Sequence, residues 1–405
     1  MKLTYDVKDK PKFGQLIVFA FQQLLAILAA TIAVPSIIQN GMSQSAALFG
    51  AGVGTIVYLL FTKFRSPVFL GSSFAFLGSM SAAFAGAYAE SAAGHAGLIL
   101  GAVFAGLVYV IIAIAVKIAG VKWINKIMPA VVIGPTVSII GLSLAGNAIG
   151  DLTNSAGTCT ASPYVCIVCG LVTLFTVVIC SVYGKKTAKL IPFIIGILAG
   201  YVVAAIFTVI GIKTGNDALK VIDFAIFSGM KIFSVPDFTF MEAFKGIKEI
   251  DGGYIASIAV AYVPVAFVVF AEHIADHKNL SSVIGKELLE DPGLHRTLLG
   301  DGVGSMIGAF FGGCPNTTYG ESVGCVAITG NASVVTILTT AVMAMVISFF
   351  GPFVTFLSSI PSCVMGGVCI TLYGFIAVSG LKMIQKVDLD ANKNLFVVAV
   401  ILICG

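Results

Sequence analysis

Charged side chains are scarce in this 405-residue chain, where they make up only 10% of the residues. Soluble globular proteins carry about 25% charged residues, and disordered chains are richer still in polar and charged residues. The composition therefore excludes both classes. Hydrophobic residues make up 58% of the chain and the mean hydropathy is +1.04, which is typical of a polytopic helical membrane protein. The apolar runs are too long and continuous for an outer-membrane barrel, whose strands are short and alternate.

Residues and motifs that would indicate catalysis or metal binding are also scarce. The chain has four histidines and no HExxH motif, and an intramembrane enzyme would need a nucleophile–base pair or metal ligands at membrane depth. We therefore expect no enzyme activity, no metal and no other cofactor. The net charge of +4 comes from loop lysines and does not indicate a nucleic-acid partner. Cys166 and Cys169 form a CxxC motif inside an apolar run, which favours a helix contact over a metal or redox site.

The apolar runs predict thirteen membrane spans, given that a spanning helix needs about 20 apolar residues. No cleavable signal peptide is visible. The predicted spans cover residues 13–38, 46–62, 68–89, 95–118, 128–149, 164–183, 188–212, 254–277, 297–312, 319–330, 332–350 and 362–381, and a further span begins near 394. A polar loop over 213–252 separates the seventh span from the eighth. The chain stops inside the apolar run 395–405, and its second half is the shorter, so we expect the fourteenth helix to be missing.

The basic residues predict the orientation. If the N-terminus is cytoplasmic, all but five of the 23 basic residues fall on the cytoplasmic side, as the positive-inside rule requires. The exceptions lie in or beside the long outer loop and are Lys213, Lys220, Lys231, Lys245 and Lys248. We therefore predict a multi-pass protein of the cell membrane with a cytoplasmic N-terminus.

Two spans are interrupted at matching places in the two halves of the chain. The third contains the break Gly71-Ser72-Ser73, and the tenth contains a similar polar break over 317–322. Interrupted segments at matching positions are the best sequence indication of a transporter binding site. Seven spans per half is an odd number, so the second half enters the membrane from the opposite side and the repeats are inverted. The alternative is two unrelated Gly/Ser packing motifs.

Two carboxylates lie within apolar segments. Glu272 follows the apolar run 265–271 and Glu321 begins the tenth predicted span. A carboxylate at membrane depth costs several kcal/mol, which favours a functional role over a buried ion pair or an interfacial helix end. Asp276 lies four residues after Glu272 and on the same helix face. Such a pair can hold a proton, so we predict proton coupling at Glu272 and Asp276, with an interfacial position as the alternative for Asp276. For His273 we expect a structural or interfacial role, and for Asp301 a helix cap or a loop contact.

These groups suit a particular kind of ligand. Carboxylates accept hydrogen bonds, the unwound backbone of the interrupted spans donates and accepts them, and the ring of Phe74 supplies a face for stacking. A planar heterocycle with ring N–H donors fits this set. An inorganic anion does not, because the carboxylates would repel it.

At these residues the chain resembles the nucleobase–ascorbate transporters, also called nucleobase–cation symporters, and within them the branch of bacterial uracil permeases. The resemblance covers the whole chain and is carried by several blocks in order. These blocks are Gln22-Gln23-Leu24, Ala29-Ala30-Thr31, the run 69–76, Ala271-Glu272-His273-Ile274, the run 291–296, and the run 315–330 with Thr317-Thr318-Tyr319-Gly320-Glu321 at its centre.

The resemblance implies an all-α fold of fourteen helices in a 7+7 inverted repeat, with short antiparallel strands in the third and tenth. It implies a core domain (1–126 and 253–350), a gate domain (127–212 and 351–405) and an extracellular loop (213–252). It also implies proton-coupled uracil uptake by alternating access, and a homodimer formed through the gate domain. Substrate binding is implied for Glu272 and Glu321, with the site lined by Ala30, Phe74, Tyr319 and Gly320.

The sequence departs from the family pattern at two positions. The uracil permeases carry a histidine where this chain has Asp276, and the family usually has an asparagine where this chain has Ser322. The first departure concerns the mode of proton coupling, and the second concerns substrate choice. A symporter for xanthine or another purine on the same fold is therefore the alternative. A related anion transporter is disfavoured by Glu321.

Overall fold

The computed structural model describes residues 3–88, 92–120, 129–156, 159–185, 188 and 191–404. Predictions that involve Lys122, Lys126, Lys186 or Lys189, and the domain boundary at 126, lie outside these residues. In the first half the helices are α1 (Phe13–Ile38), α2 (Gln44–Phe61), α3 (Leu77–Ala83), α4 (Ala92–Ala119), α5 (Ala130–Ser143), α6 (Ala145–Asp151), α7 (Pro163–Tyr183) and α8 (Pro192–Thr214).

The second half repeats this order. After the short helix α9 (Thr239–Gly246) come α10 (Gly252–Ile284), α11 (Leu294–Gly312), α12 (Gly320–Thr329), α13 (Val334–Ile347), α14 (Gly351–Ser358), α15 (Ser362–Ile384) and α16 (Asn392–Cys404). Strands β1 (Leu70–Ser72) and β2 (Asn316–Thr318) each lie between the second and third helices of their half, counted from α1 and from α10. The two halves therefore carry their interruptions at equivalent places.

Eight helical stretches among the described residues are long and apolar enough to cross a membrane. They are α1, α2, α4, the α5–α6 run, α7, α8, α10 and α15. Large apolar side chains on these helices are exposed, among them Ile111, Phe175 and Val260, as expected for surfaces that face lipid. The third and tenth spans, where the family resemblance implies short strands at the polar breaks, are each a short strand followed by a short helix.

The chain divides into two compact units. The first unit contains Met1–Val121 and Lys231–Val354, and the second contains Lys122–Met230 and Thr355–Gly405. The first unit holds α1 to α4, α9 to α13 and both strands, and the second holds α5 to α8, α15 and α16. The boundary falls within α14. The segment 213–252, predicted as a polar loop, has regular structure in part, since α9 belongs to the first unit and stacks Phe240 on Phe310 of α11 at 4.9 Å between ring centroids.

In the first unit, glycines allow α2 and α11 to pack backbone to backbone. A Cβ atom on Gly54 would lie 2.7 Å from the carbonyl oxygen of Gly304, and a Cβ on Gly304 would lie 2.7 Å from that of Gly54. Small residues at such a seam let helices approach closely in a membrane. The side chain of Asn316 lies at the same helix contact, and its amide donates a hydrogen bond to the Gly50 carbonyl at 3.2 Å. This contact fixes the start of β2 against α2.

Candidate functional site

The two strands form a buried antiparallel pair within the first unit. Leu70 pairs with Thr318, Gly71 with Thr317 and Ser72 with Asn316, and all six residues are buried. Backbone hydrogen bonds from Ser73 to Pro315 (2.9 Å) and from Tyr319 to Phe69 (3.2 Å) extend the pair at both ends. The pairing satisfies backbone groups that would otherwise be costly at membrane depth. It also places the start of α12 beside α10.

Asp276 contacts the strand pair directly. Its carboxylate accepts a hydrogen bond from the Thr318 hydroxyl at 2.9 Å. A Cβ atom on Gly320 would lie 3.8 Å from the other Asp276 oxygen, so the absence of a side chain leaves this carboxylate open toward the first residue of α12. The α10 face that carries Asp276 therefore points at the junction between β2 and α12.

Three carboxylates share this region. Glu272 lies one turn before Asp276 on α10, and Glu321 is in the first turn of α12. The Glu272 carboxylate interacts electrostatically with those of Asp276 and Glu321, and Asp276 also interacts with Glu321. All three residues are half-buried. Glu321 lies in the first turn of α12, where the backbone N–H groups have no intrahelical acceptor.

The other predicted lining residues take different positions. Ala30 of α1 is 1% exposed, and Phe74 begins the short 3-10 turn that follows β1 and is 9% exposed. Tyr319 is buried, and its hydroxyl donates to the Ser72 carbonyl at 2.8 Å. Its ring lies against Gly71, where a Cβ atom would collide with it. The side chain of Tyr319 therefore supports the strand pair, while Gly320 is exposed.

Ser322, one of the two departures from the family pattern, has a structural connection that the sequence did not indicate. Its hydroxyl accepts hydrogen bonds from the Gln23 amide of α1 at 2.5 Å and from the Phe69 backbone N–H at 3.1 Å. The residue is fully buried. One side chain thus joins α1, the residue before β1 and the first turn of α12, and so fixes the helix start that carries Glu321.

A second polar cluster lies behind α10, and sequence reasoning missed it. His273 Nδ1 is 2.6 Å from a carboxylate oxygen of Asp301 on α11, and His273 Nε2 is 2.9 Å from the Thr297 hydroxyl. His277 stacks on His273 at 4.1 Å between ring centroids and contacts the Tyr58 hydroxyl at 2.7 Å. Asp301, expected to be a cap or loop contact, is instead completely buried and paired with His273. The cluster anchors the back of α10 to α11 and α2.

Comparison with known proteins identifies the family of this chain. The sequence matches the family model Xan_ur_permease, described as a permease family, over residues 14–405. The chain belongs to this permease family, the nucleobase–ascorbate transporters. The predicted family is thereby confirmed.

Full-length relatives in this family include named uracil permeases. The uracil permease of Bacillus caldolyticus is 39% identical over 406 residues, which is 100% of this chain and 88% of the relative. That of Bacillus subtilis (strain 168) is 37% identical, with the same coverage of both chains. That of Escherichia coli (strain K12) is 32% identical over 98% of this chain and 86% of the relative. The family and the eight apolar helical stretches together indicate a multi-pass membrane protein.

Solved structures with a similar fold are transporters of low sequence identity. The transmembrane domain of the cyanobacterial bicarbonate transporter BicA superposes with a TM-score of 0.68 at 17% identity, covering 98% of this chain and 97% of that chain. The structure of SLC26A9 gives a TM-score of 0.61 at 12% identity, covering 91% of this chain and 59% of that chain. These likenesses concern the fold alone and confirm the predicted 7+7 inverted repeat with two short strands.

Proposed function

We propose that this permease takes up uracil together with protons by alternating access. The observation that carries the proposal is the convergence of Glu272, Asp276 and Glu321 on the start of α12, next to the strand pair. The uracil permeases among its relatives support the substrate class. In this proposal Glu272 and Glu321 bind the substrate, and Glu272 and Asp276 couple its movement to protons.

The chemistry of uracil matches these groups. The planar ring has two N–H donors and two carbonyl acceptors. Carboxylates accept charge-assisted hydrogen bonds from ring N–H groups, and the free N–H groups at the start of α12 donate to ring carbonyls. Phe74 supplies an aromatic face for stacking, and the small side chains of Ala30 and Gly320 leave room for a flat ligand. Three carboxylates at one place would repel an anionic ligand, which favours a neutral base.

The proposed proton coupling rests on the positions of Glu272 and Asp276. Glu272 and Asp276 lie one turn apart on α10 and interact electrostatically. Binding of one proton reduces the charge in a region of low dielectric constant and allows the site to accept a neutral substrate. In the proposed cycle the proton and uracil enter from outside and leave to the cytoplasm. The Thr318 hydroxyl holds Asp276 in place throughout.

We assign further roles to the two units on the basis of the family resemblance. The first unit, which carries the site, acts as the core that moves, and the second acts as the gate and as the surface for a homodimer. The N-terminus is placed in the cytoplasm, because the described Lys8, Lys10, Lys63 and Arg65 then lie on the side that basic residues favour.

Uptake into vesicles tests the proposal. The purified chain is reconstituted into sodium-free proteoliposomes, and labelled uracil is supplied with or without an inward proton gradient. Accumulation is expected only with the gradient, and unlabelled uracil should compete better than xanthine or guanine. Equal accumulation without the gradient would contradict proton coupling. Stronger competition by a purine would assign the site to a different nucleobase.

A further inference from the structure

The segment before α1 lies across the ends of both helices that carry the carboxylates. We define residues 4–9 as the N-terminal strap. Its backbone pairs with the chain that follows α12, through Thr4 N–H to Gly330 O at 2.7 Å, Ala332 N–H to Tyr5 O at 2.9 Å and Val334 N–H to Val7 O at 3.1 Å. A strand-like bridge thus forms between two segments about 325 residues apart in sequence.

Side chains reinforce this pairing. Val7 is only 4% exposed. The Ser333 hydroxyl, at the N-cap of α13, donates to the backbone carbonyl of Asp9 at 2.6 Å. Asp6 forms an ion pair with Lys286 at 2.6 Å, and Lys286 lies two residues beyond the end of α10. The strap therefore contacts the end of α12 and the end of α10 at the same time.

We propose that the N-terminal strap is a positioning segment that sets the distance of Glu321 from Glu272 and Asp276, and so sets the affinity for the substrate. The inference rests on the proposed function of the carboxylate site. Helix α12 has ten residues and is about 15 Å long, at 1.5 Å per residue. Glu321 lies at the N-terminal end of this short helix, and the strap contacts the chain at its C-terminal end. A displacement of the strap would therefore move the helix and the Glu321 carboxylate with it.

The other attachment of α12 explains why the strap is needed. At its first turn the helix is held by Ser322, whose hydroxyl binds Gln23 and the Phe69 backbone. A rod fixed at one end can still tilt about that end. The strap supplies the second point of attachment, and the Asp6–Lys286 pair ties it to the helix that carries the other two carboxylates. A displacement of about 1 Å at a binding group is enough to weaken a site strongly.

Deletion of residues 3–8 from the full chain tests the proposal. Uracil binding is measured by titration calorimetry for the wild type, for the deletion, and for a control with Lys10→Gln and Lys12→Gln, two exposed residues outside the strap. The deletion is expected to raise Kd at least about tenfold, the equivalent of 1.4 kcal/mol, while the control stays within twofold of the wild type. A deletion variant that stays within twofold of the wild type would overturn the proposal.

A charge exchange keeps the test valid if the deletion does not fold. Asp6→Lys places two cations together at the strap and should weaken uracil binding severalfold, and Asp6→Lys combined with Lys286→Asp should restore it. A structural defect alone would not be repaired by the second change. If the single and double variants both bind as the wild type does, the strap does not position the site. If the wild type itself binds no uracil, the proposed function fails and the strap is not at issue.

Discussion

The Thr318 hydroxyl donates a hydrogen bond to the Asp276 carboxylate across 2.9 Å and so links the second strand to the helix that carries two of the three carboxylates. The contact joins residues 42 positions apart in sequence. Because Thr318 also pairs with Leu70 through its backbone, Asp276 is tied to both strands. The strand pair therefore orients a titratable group as well as satisfying backbone hydrogen bonds.

Thr318→Val tests this link at nearly constant volume. The variant leaves the Asp276 carboxylate without its hydroxyl donor, and the loss of a hydrogen bond to a charged group costs about 1.5–3 kcal/mol. Because this bond is present without uracil, we expect the free energy of unfolding to fall by about 1.5–3 kcal/mol. Thr339→Val on α13, which removes only a bond to the Val335 carbonyl within its own helix, is the control. A midpoint of thermal unfolding equal to that of the control would show that the link does not stabilise this arrangement.

Asp276→Asn separates binding from coupling. The amide keeps the size of the side chain and removes its ability to carry a transported proton. We expect vesicles with this variant to exchange external for internal labelled uracil but not to accumulate uracil under a proton gradient. Accumulation at the wild-type level would remove Asp276 from the coupling mechanism and leave Glu272 to act alone.

The buried His273–Asp301 pair predicts a stability effect. Both side chains are fully buried, so Asp301→Ala leaves His273 with an unsatisfied nitrogen and a cavity beside it. Removing one partner of such a pair costs about 3–5 kcal/mol. Asp291→Ala is a matched control, because Asp291 is 69% exposed in its pair with Arg65 and should cost at most about 1 kcal/mol. Thermal unfolding of the two detergent-solubilised variants compares them directly, and equal midpoints would contradict the anchoring role.

The structure leaves no room for a side chain at Gly71 in the first strand. A Cβ atom on Gly71 would lie 2.8 Å from the Tyr319 hydroxyl and closer still to its ring. Gly71→Ala should therefore separate the strands and destabilise the protein by about 1–3 kcal/mol. Gly78→Ala on α3 is the control, since a Cβ there meets nothing within 4 Å and alanine favours the helix. A Gly71 variant as stable as the control would mean that the strands tolerate a side chain here.

The strap has its own pH dependence. The hydrogen bond from Lys286 lowers the pKa of Asp6 below its usual value of 3.8. A carboxyl group whose pKa is lower in the folded state contributes stability above its unfolded pKa, and that contribution disappears as the pH falls through the folded value. The gain is below about 1 kcal/mol because both side chains are nearly half-exposed. Strap amides should exchange faster in Asp6→Asn than in the wild type at pH 6, and the difference should shrink as the pH falls below 3.8. A difference that does not change as the pH falls would point to another cause.

Much of the fold follows from local patterns in the sequence. The apolar runs located most spans, and the polar breaks at Gly71-Ser72-Ser73 and around Thr318 marked the two interruptions, where the family resemblance implied short strands. Glu272 and Glu321 stood out because carboxylates are rare in apolar segments. Each of these signals lies within a few neighbouring residues, so periodicity and composition are enough to detect it.

The contacts that orient the site join distant residues and have no local pattern. Gln23 meets Ser322 across 299 positions, and His273 meets Asp301 across 28. Asp301 was expected to be a helix cap or a loop contact because it lies near one end of the ninth predicted span, whereas the structure buries it in a pair with His273. Tyr319 remains a predicted lining residue, and its side-chain hydrogen bond to the Ser72 carbonyl, across 247 positions, also has no local sequence signal. Only the tertiary structure shows which polar groups are already paired.

The most direct measurement is uracil binding to the purified wild type and to Glu272→Gln and Glu321→Gln by titration calorimetry, with Glu287→Gln, an exposed residue just beyond α10, as the control. The account predicts saturable binding by the wild type and the control, and a loss of at least about 100-fold, or 2.8 kcal/mol, in each site variant. Wild-type affinity in either site variant would show that the three-carboxylate region is not where uracil binds.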